Sequence, residues 1–137
     1  MPELELLDDE WCFACGKNNP IGLKLEWEKV GDDYIARFIP KKEHQGYTGI
    51  THGGIVATLL DEAMARLVWA EGHRAVTAEM TIRLKKPART GVELTLSGRI
   101  DSEDRRIISC TAEAKDPDGQ IVASATGRMM KIDKGSY

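Results

Sequence analysis

One stretch constrains this chain more than any other: a helical segment from about Gly53 to Glu71, set among stretches that otherwise read as loop or β. At about 100° per residue, Val56, Ala57, Leu59, Leu60, Ala63, Met64, Leu67 and Val68 make one broad apolar face, with Thr58, Glu62 and Arg66 opposite. Asp61 falls on the border, beside Ala57 and Met64 rather than with the solvent-facing charges. A helix apolar over more than half its circumference must be covered on most sides. No second helix is available, so the cover must be sheet.

The flanking sequence supplies that sheet. Leu23 to Val30 alternates and predicts a half-buried strand, followed by a hairpin turn at Gly31-Asp32-Asp33. Tyr34 to Ile39 alternates again and stops at Pro40, and Lys41 to Thr51 is a polar loop. Gly72 closes the helix. Four more strands are predicted: Ala75 to Leu84, Val92 to Ile100 with a bulge at Gly98, Arg106 to Lys115, and Gln120 to Ile132 after the Asp116-Pro117-Asp118-Gly119 turn. The fold class is therefore α+β: a curved antiparallel sheet of about six strands wrapped around one long central helix. Such a sheet leaves edges that need pairing, and dimerisation through an edge strand is a natural answer.

At 137 residues the chain is read as a single domain, with residues 1–22 an acidic lead and a turn-rich segment. The net charge of −3 leaves no basic excess to neutralise phosphates, so a general nucleic-acid binder is excluded. There is no apolar run of membrane-spanning length, and the N-terminus is acidic with no basic n-region, so the expected location is the cytoplasm. Cys12 and Cys15 have C-x-x-C spacing, but two further zinc ligands with similar order are missing. A redox dithiol would want a strand before the pair and a helix after it. The pair is read as packing an N-terminal turn, and no metal or redox cofactor is expected.

Chemistry concentrates at the helix start. In His52-Gly53-Gly54 two glycines leave backbone N–H groups bare at the positive end of the helix dipole, which suits a developing oxyanion. Asp61, two turns on, is the candidate base or nucleophile. His52 also suits a capping role, and Gly53 and Gly54 also suit tight packing of the helix start. Arg83, Lys85, Lys86 and Arg89 crowd the end of the strand after the helix, either as a solvated strand end or as a grip for an anionic ligand.

These residues carry a resemblance. The sequence resembles the hotdog-fold acyl-CoA thioesterases of the phenylacetic-acid-degradation type over nearly its whole length. The likeness runs from Cys12-Phe13-Ala14-Cys15-Gly16 and Asn19-Pro20-Ile21-Gly22-Leu23, through His44-Gln45-Gly46-Tyr47 and His52-Gly53-Gly54 with Asp61. It continues to Thr77-Ala78-Glu79-Met80 and Lys86-Pro87-Ala88. It implies that the Gly53 N–H meets the thioester carbonyl, that Asp61 attacks it or activates water, that Thr77 holds the water or carboxylate, and that His52 positions the thioester. Gly54 would complete the substrate-binding turn, and Lys85, Lys86 and Arg89 would meet the phosphates of coenzyme A. Many relatives carry an asparagine in the loop before the histidine. Here Gln45-Gly46-Tyr47 stands there, with Gln45 or His44 as substitutes. The partner implied is an acyl-CoA substrate, with no nucleic acid and no membrane. The rivals are a hotdog enoyl-thioester hydratase, which would want an Asp and His paired in one motif, and a non-catalytic acyl-CoA-binding module.

Spacing adds a constraint of its own. Eight residues of helix separate Gly53 from Asp61 by roughly 12 Å, whereas a carbonyl must meet donor and nucleophile within about 3 Å. Two antiparallel helices crossing at a two-fold axis would bring Gly53 of one chain to Asp61 of the other. A homodimer with two shared sites is expected, either alone or as a dimer of dimers.

Overall fold

The structure, a computed structural model, describes residues 5–132; the first four residues of the acidic lead lie outside the described residues. Its helix, α1 (Gly53–Ala70), lies in the hollow of one antiparallel sheet. The strands are β1 (Glu28–Val30), β2 (Asp33–Phe38), β3 (Ala75–Leu84), β4 (Leu94–Glu103), β5 (Ile107–Lys115) and β6 (Ile121–Lys131). Their order across the sheet is β1-β2-β4-β5-β6-β3, so β3, which follows the helix directly, crosses to the far edge. That leaves β1 and β3 as edges. No described helix is long and apolar enough to cross a membrane.

Seven helix residues are buried: Val56, Leu59, Leu60, Ala63, Met64, Leu67 and Val68, the predicted face without Ala57 at its margin. The helix ends as expected: Gly72 turns into the left-handed region at φ +91°, and the His73 N–H donates to the Val68 carbonyl at 3.1 Å.

The sheet's concave face explains the small residues of β6. Ala112 pairs with Gly98 on one side and Ala125 on the other, and Cys110 pairs with Gly127. A Cβ at Gly98 would overlap the Ala63 carbonyl carbon at 2.8 Å, and one at Gly127 would meet the Met64 sulfur at 2.9 Å. Small side chains here let the helix backbone sink into the sheet. This corrects the bulge expected at Gly98: Gly98 pairs regularly with Tyr34 and Ala112, and the irregularity lies between Ile100 and Ser102. The glycine is required by close helix approach, not by a kink in the strand.

A second correction concerns the strand predicted over Leu23 to Val30. Only Glu28–Val30 pairs as a strand. Leu23 and Leu25 are buried as their alternation implied, but their N–H groups donate to the carbonyls of Phe13 (2.8 Å) and Ala14 (3.0 Å). Lys24 between them sits at φ +58°, its ammonium folded back onto the carbonyls of Lys17 and Asn19, both at 2.6 Å. Alternation reported which side chains turn inward; the backbone partner is the N-terminal turn. That turn is thereby laid against the helix.

Candidate active site

The loop before the helix positions its first residues. The Thr51 N–H donates to the Ala88 carbonyl at 2.7 Å and the His52 N–H to the His44 carbonyl at 2.8 Å, so the turn is braced from two sides. His52 is the N-cap: its Nδ1 accepts from the Gly54 N–H at 2.8 Å. With Nδ1 accepting, a neutral ring carries its proton on Nε2, which remains a donor. The carbonyl of His52 accepts from Ile55 (2.9 Å) and Val56 (3.2 Å). The Gly53 N–H alone of these first groups finds no acceptor among the described residues.

Gly53 lines a cleft of about 690 Å³, together with His52, Val56, Leu84, Lys85 and Val122, among others. Thr51 also lines it; the residue is only 4% exposed, and its hydroxyl is without a partner among the described residues. Sequence reading missed Thr51, because a threonine next to a conspicuous histidine carries no signal until burial is known.

Asp61 lies mid-helix and half-buried, and the Thr77 hydroxyl on β3 donates to its Oδ1 at 2.7 Å. The register of β3 against β6 slips between Thr77 and Glu79, a bulge that re-aims the strand beside the carboxylate. Neither Asp61 nor Thr77 is among the residues lining the cleft that holds Gly53. A single chain therefore presents two separate pieces: a donor turn opening on a cleft, and a carboxylate held by a hydroxyl.

The remaining predicted residues divide. His44 Nδ1 accepts from the Lys41 N–H at 2.9 Å and its ring packs on Phe38, while Gln45 Oε1 accepts from the Gly49 N–H at 3.1 Å. Both brace the loop, and neither lines the cleft; Gly46 and Tyr47 do. Lys85 and Lys86 line it, but the Lys86 ammonium is bound to Asp116 Oδ2 at 2.6 Å and Gln120 Oε1 at 2.8 Å. Arg89 bridges to Ile50 behind the loop and is not among the lining residues.

Glu62 was expected on the solvent-facing side of the helix. Instead the N-terminal turn covers it, and Cys12 Sγ donates to its Oε2 at 3.8 Å. Burial raises the Glu62 pKa above the usual carboxylate range, against the pull of Cys15 and of the Arg66 cation. Burial likewise pushes the Cys15 thiol well up, with Glu62 adding to it, and pushes the Cys110 thiol up to about 11. A helical wheel could not reveal this, since the covering segment is remote in sequence.

Residues 48–123, more than half of the chain, match the thioesterase superfamily. The chain belongs to that superfamily. Acyl-coenzyme A thioesterase THEM4 of Bos taurus is 30% identical over 135 residues, covering 96% of this chain but 55% of the relative. The chain thus spans about half the length of that curated relative. A solved thioesterase superfamily protein is 26% identical with a TM-score of 0.84, over 93% of this chain and 67% of the other. A hypothetical thioesterase from Streptococcus pneumoniae TIGR4, solved with coenzyme A, is 25% identical with a TM-score of 0.73, over 78% of this chain and 84% of the other. The helix wrapped by a six-stranded antiparallel sheet is the hotdog fold of these superfamily members.

Proposed function

We propose that this thioesterase superfamily chain hydrolyses an acyl-CoA thioester to the free acid and coenzyme A. The observation that carries the reading is that Gly53 lines the cleft and its N–H has no acceptor among the described residues, while the N–H of its neighbour Gly54 is tied to His52. The thioester oxygen takes the hydrogen bond from Gly53 and holds it more strongly as negative charge develops. Asp61 either attacks the carbonyl carbon or takes a proton from the attacking water. Its Oδ1 is held by Thr77, which leaves Oδ2 for the chemistry. In the first route the C–S bond breaks as an anhydride with Asp61 forms, and water then hydrolyses the anhydride and frees the carboxylate; in the second the water oxygen bonds to the carbonyl carbon and the C–S bond breaks. In both, the acyl group leaves as the acid and the sulfur leaves with a proton as coenzyme A thiol. His52 Nε2–H positions the thioester, and the exposed Lys85 at the cleft meets a coenzyme A phosphate.

The site is shared between two chains. Gly53 and Asp61 of one chain are roughly 12 Å apart along α1, and the cleft of one chain excludes Asp61, which supports a Gly53 of one protomer working with Asp61 of its partner. The β3 edge supports the two-fold pairing: it is the longer free edge, largely exposed, and carries the Thr77 that holds Asp61.

The deciding experiment is thiol release from a panel of acyl-CoAs, with wild type and Asp61→Ala. Turnover lost in the variant while acyl-CoA binding persists is the expected result; binding without wild-type turnover would make the chain a binding module. For sharing, Asp61→Asn and Gly53→Pro chains are unfolded together, refolded and assayed. Random pairing yields heterodimers with one intact site and about a quarter of the wild-type sites overall. Activity no higher than the sum of the two parents would overturn the shared site.

A further inference from the structure

The cluster that the hydrolysis leaves unused lies beside Asp61, about 100° round the helix at the next residue, Glu62. Cys12, Cys15 and Glu62 come together there, with two thiol sulfurs and a carboxylate oxygen all within 4.8 Å of one another and all three residues half-buried. We propose that these three side chains form a binding site for a divalent cation of the zinc class, held by two thiolate sulfurs and one carboxylate oxygen.

Donor chemistry selects the ion. Thiolates disfavour magnesium and calcium, which take oxygen ligands, and favour a borderline cation such as zinc. Geometry is close to what that ion needs. Metal–sulfur bonds of about 2.3 Å and metal–oxygen bonds of about 2.1 Å imply tetrahedral donor separations of about 3.6–3.8 Å. Cys12 Sγ and Glu62 Oε2 already stand 3.8 Å apart, so rotamer adjustment of about an ångström suffices for the rest. Three protein ligands leave the fourth tetrahedral position to water.

The scaffold is built to hold the two sulfurs. The Gly16 N–H donates to the Cys12 carbonyl at 2.8 Å and Asn18 to the Glu10 carbonyl at 2.9 Å, closing a tight knuckle around the pair. A Cβ at Gly16 would strike the Glu10 carbonyl oxygen at 2.6 Å, so the knuckle leaves no room for a side chain. Ladder-like bonds from Leu23 and Leu25 then fix the knuckle to the rest of the chain. Two cysteines that merely filled space would not require the knuckle to meet a carboxylate.

Charge is also partly balanced. Loading the site displaces the two thiol protons to solvent, so two thiolates and a carboxylate around a dication carry one net negative charge. Arg66, one turn beyond Glu62, lies near Cys15 and pairs with Asp8 of the same N-terminal segment at 3.3 Å. Its guanidinium, shared with Asp8, screens part of that charge. The ion would clasp the N-terminal segment to α1 at the residue next to Asp61.

The test is a cobalt(II) titration of reduced, metal-stripped, tag-free protein, read by absorbance and needing no thioester. A thiolate-to-cobalt charge-transfer band and tetrahedral ligand-field bands should saturate at about one ion per chain and be bleached by zinc. Cys12→Ser and Cys15→Ser should abolish the charge-transfer band, and Cys110→Ser should retain it. Glu62→Gln should weaken binding by at least about tenfold, the lower bound for losing even an outer partner of a metal site. Elemental analysis of wild type purified without chelator gives a reading independent of any variant's folding, with about one zinc per chain expected. No charge-transfer band in wild type, or a band indifferent to both serine variants, would overturn the site. So would a Cys12–Cys15 disulfide in the protein as purified, seen as a mass two hydrogens lighter until reduced.

Discussion

Replacing Gly53 by proline removes one N–H, sets the ring Cδ in its place and adds a Cβ beside Leu84. Gly53 is the first residue of α1, where proline is well tolerated because its missing N–H has no helical partner. His52 before it sits at φ −57° and ψ 133°, the extended conformation that a following proline demands. The helix therefore accepts the ring, and no intramolecular hydrogen bond is lost among the described residues. What goes is the donor proposed to meet the oxyanion. Removing one such donor costs about 10²–10³-fold in kcat, or roughly 2.7–4 kcal/mol of transition-state stabilisation. The control is Gly53→Ala, which keeps the N–H. Its Cβ would meet Leu84 Cδ1 at 3.1 Å, and that is the tip of an exposed side chain that can turn aside. Crowding alone is thus expected to cost only a few-fold. Initial rates of thiol release from one acyl-CoA should place Gly53→Pro at least about tenfold below Gly53→Ala, with melting temperatures of both near wild type. If proline and alanine give kcat/KM within threefold of each other, the Gly53 N–H is not the oxyanion donor.

Other perturbations probe the remaining parts. Thr77→Val removes the hydroxyl that donates to Asp61 at 2.7 Å, and the exposed setting puts the loss near the low end for a hydrogen bond to a charge, about tenfold in kcat. Thr77→Ser should restore it, and a valine variant within twofold of the serine one would remove Thr77 from the site. Gly98→Ala drives a Cβ into the Ala63 backbone, so urea or thermal unfolding should show a loss of at least about 1–3 kcal/mol, whereas unchanged stability would mean the helix is not seated there. Lys86, with help from the Gln120 N–H, holds the Asp116 carboxyl below its ordinary value of 3.8. A depressed folded pKa means the contribution is present above that ordinary value and is lost as pH falls through the folded one. Lys86→Ala should therefore flatten the acid limb of a melting-temperature profile, and an unaltered limb would show that the pair is not formed in solution.

Much of this was legible in the residues because local pattern and tertiary demand agree. The apolar face of α1, its stop at Gly72 and the strands after it follow from periodicity and turn chemistry, which act within a few residues. The Thr77–Asp61 contact was accessible only through the resemblance, since no local rule places a strand threonine against a helix aspartate sixteen residues earlier. Where the sequence misled, distant chain had intervened. Gly98 reads as a bulge until the helix is found pressed against it, and Leu23 to Leu25 reads as strand until the N-terminal turn takes its hydrogen bonds.

Glu62 shows why adjacent carboxylates needed the fold to tell them apart. Both it and Asp61 lie on one helical turn, and a wheel sorts them only by angle. The fold gives Asp61 a hydroxyl from β3 and gives Glu62 two thiols from the N-terminal turn. One keeps a second carboxylate oxygen, the one proposed above to act on substrate, while the other is enclosed by groups that suit a cation. A change at Glu62 should therefore act on the attachment of residues 12–16 to the helix, and a change at Asp61 on turnover. Loss of turnover in Asp61→Asn with cobalt binding intact, set against loss of cobalt binding in Cys12→Ser, would separate the two roles within a single turn of α1.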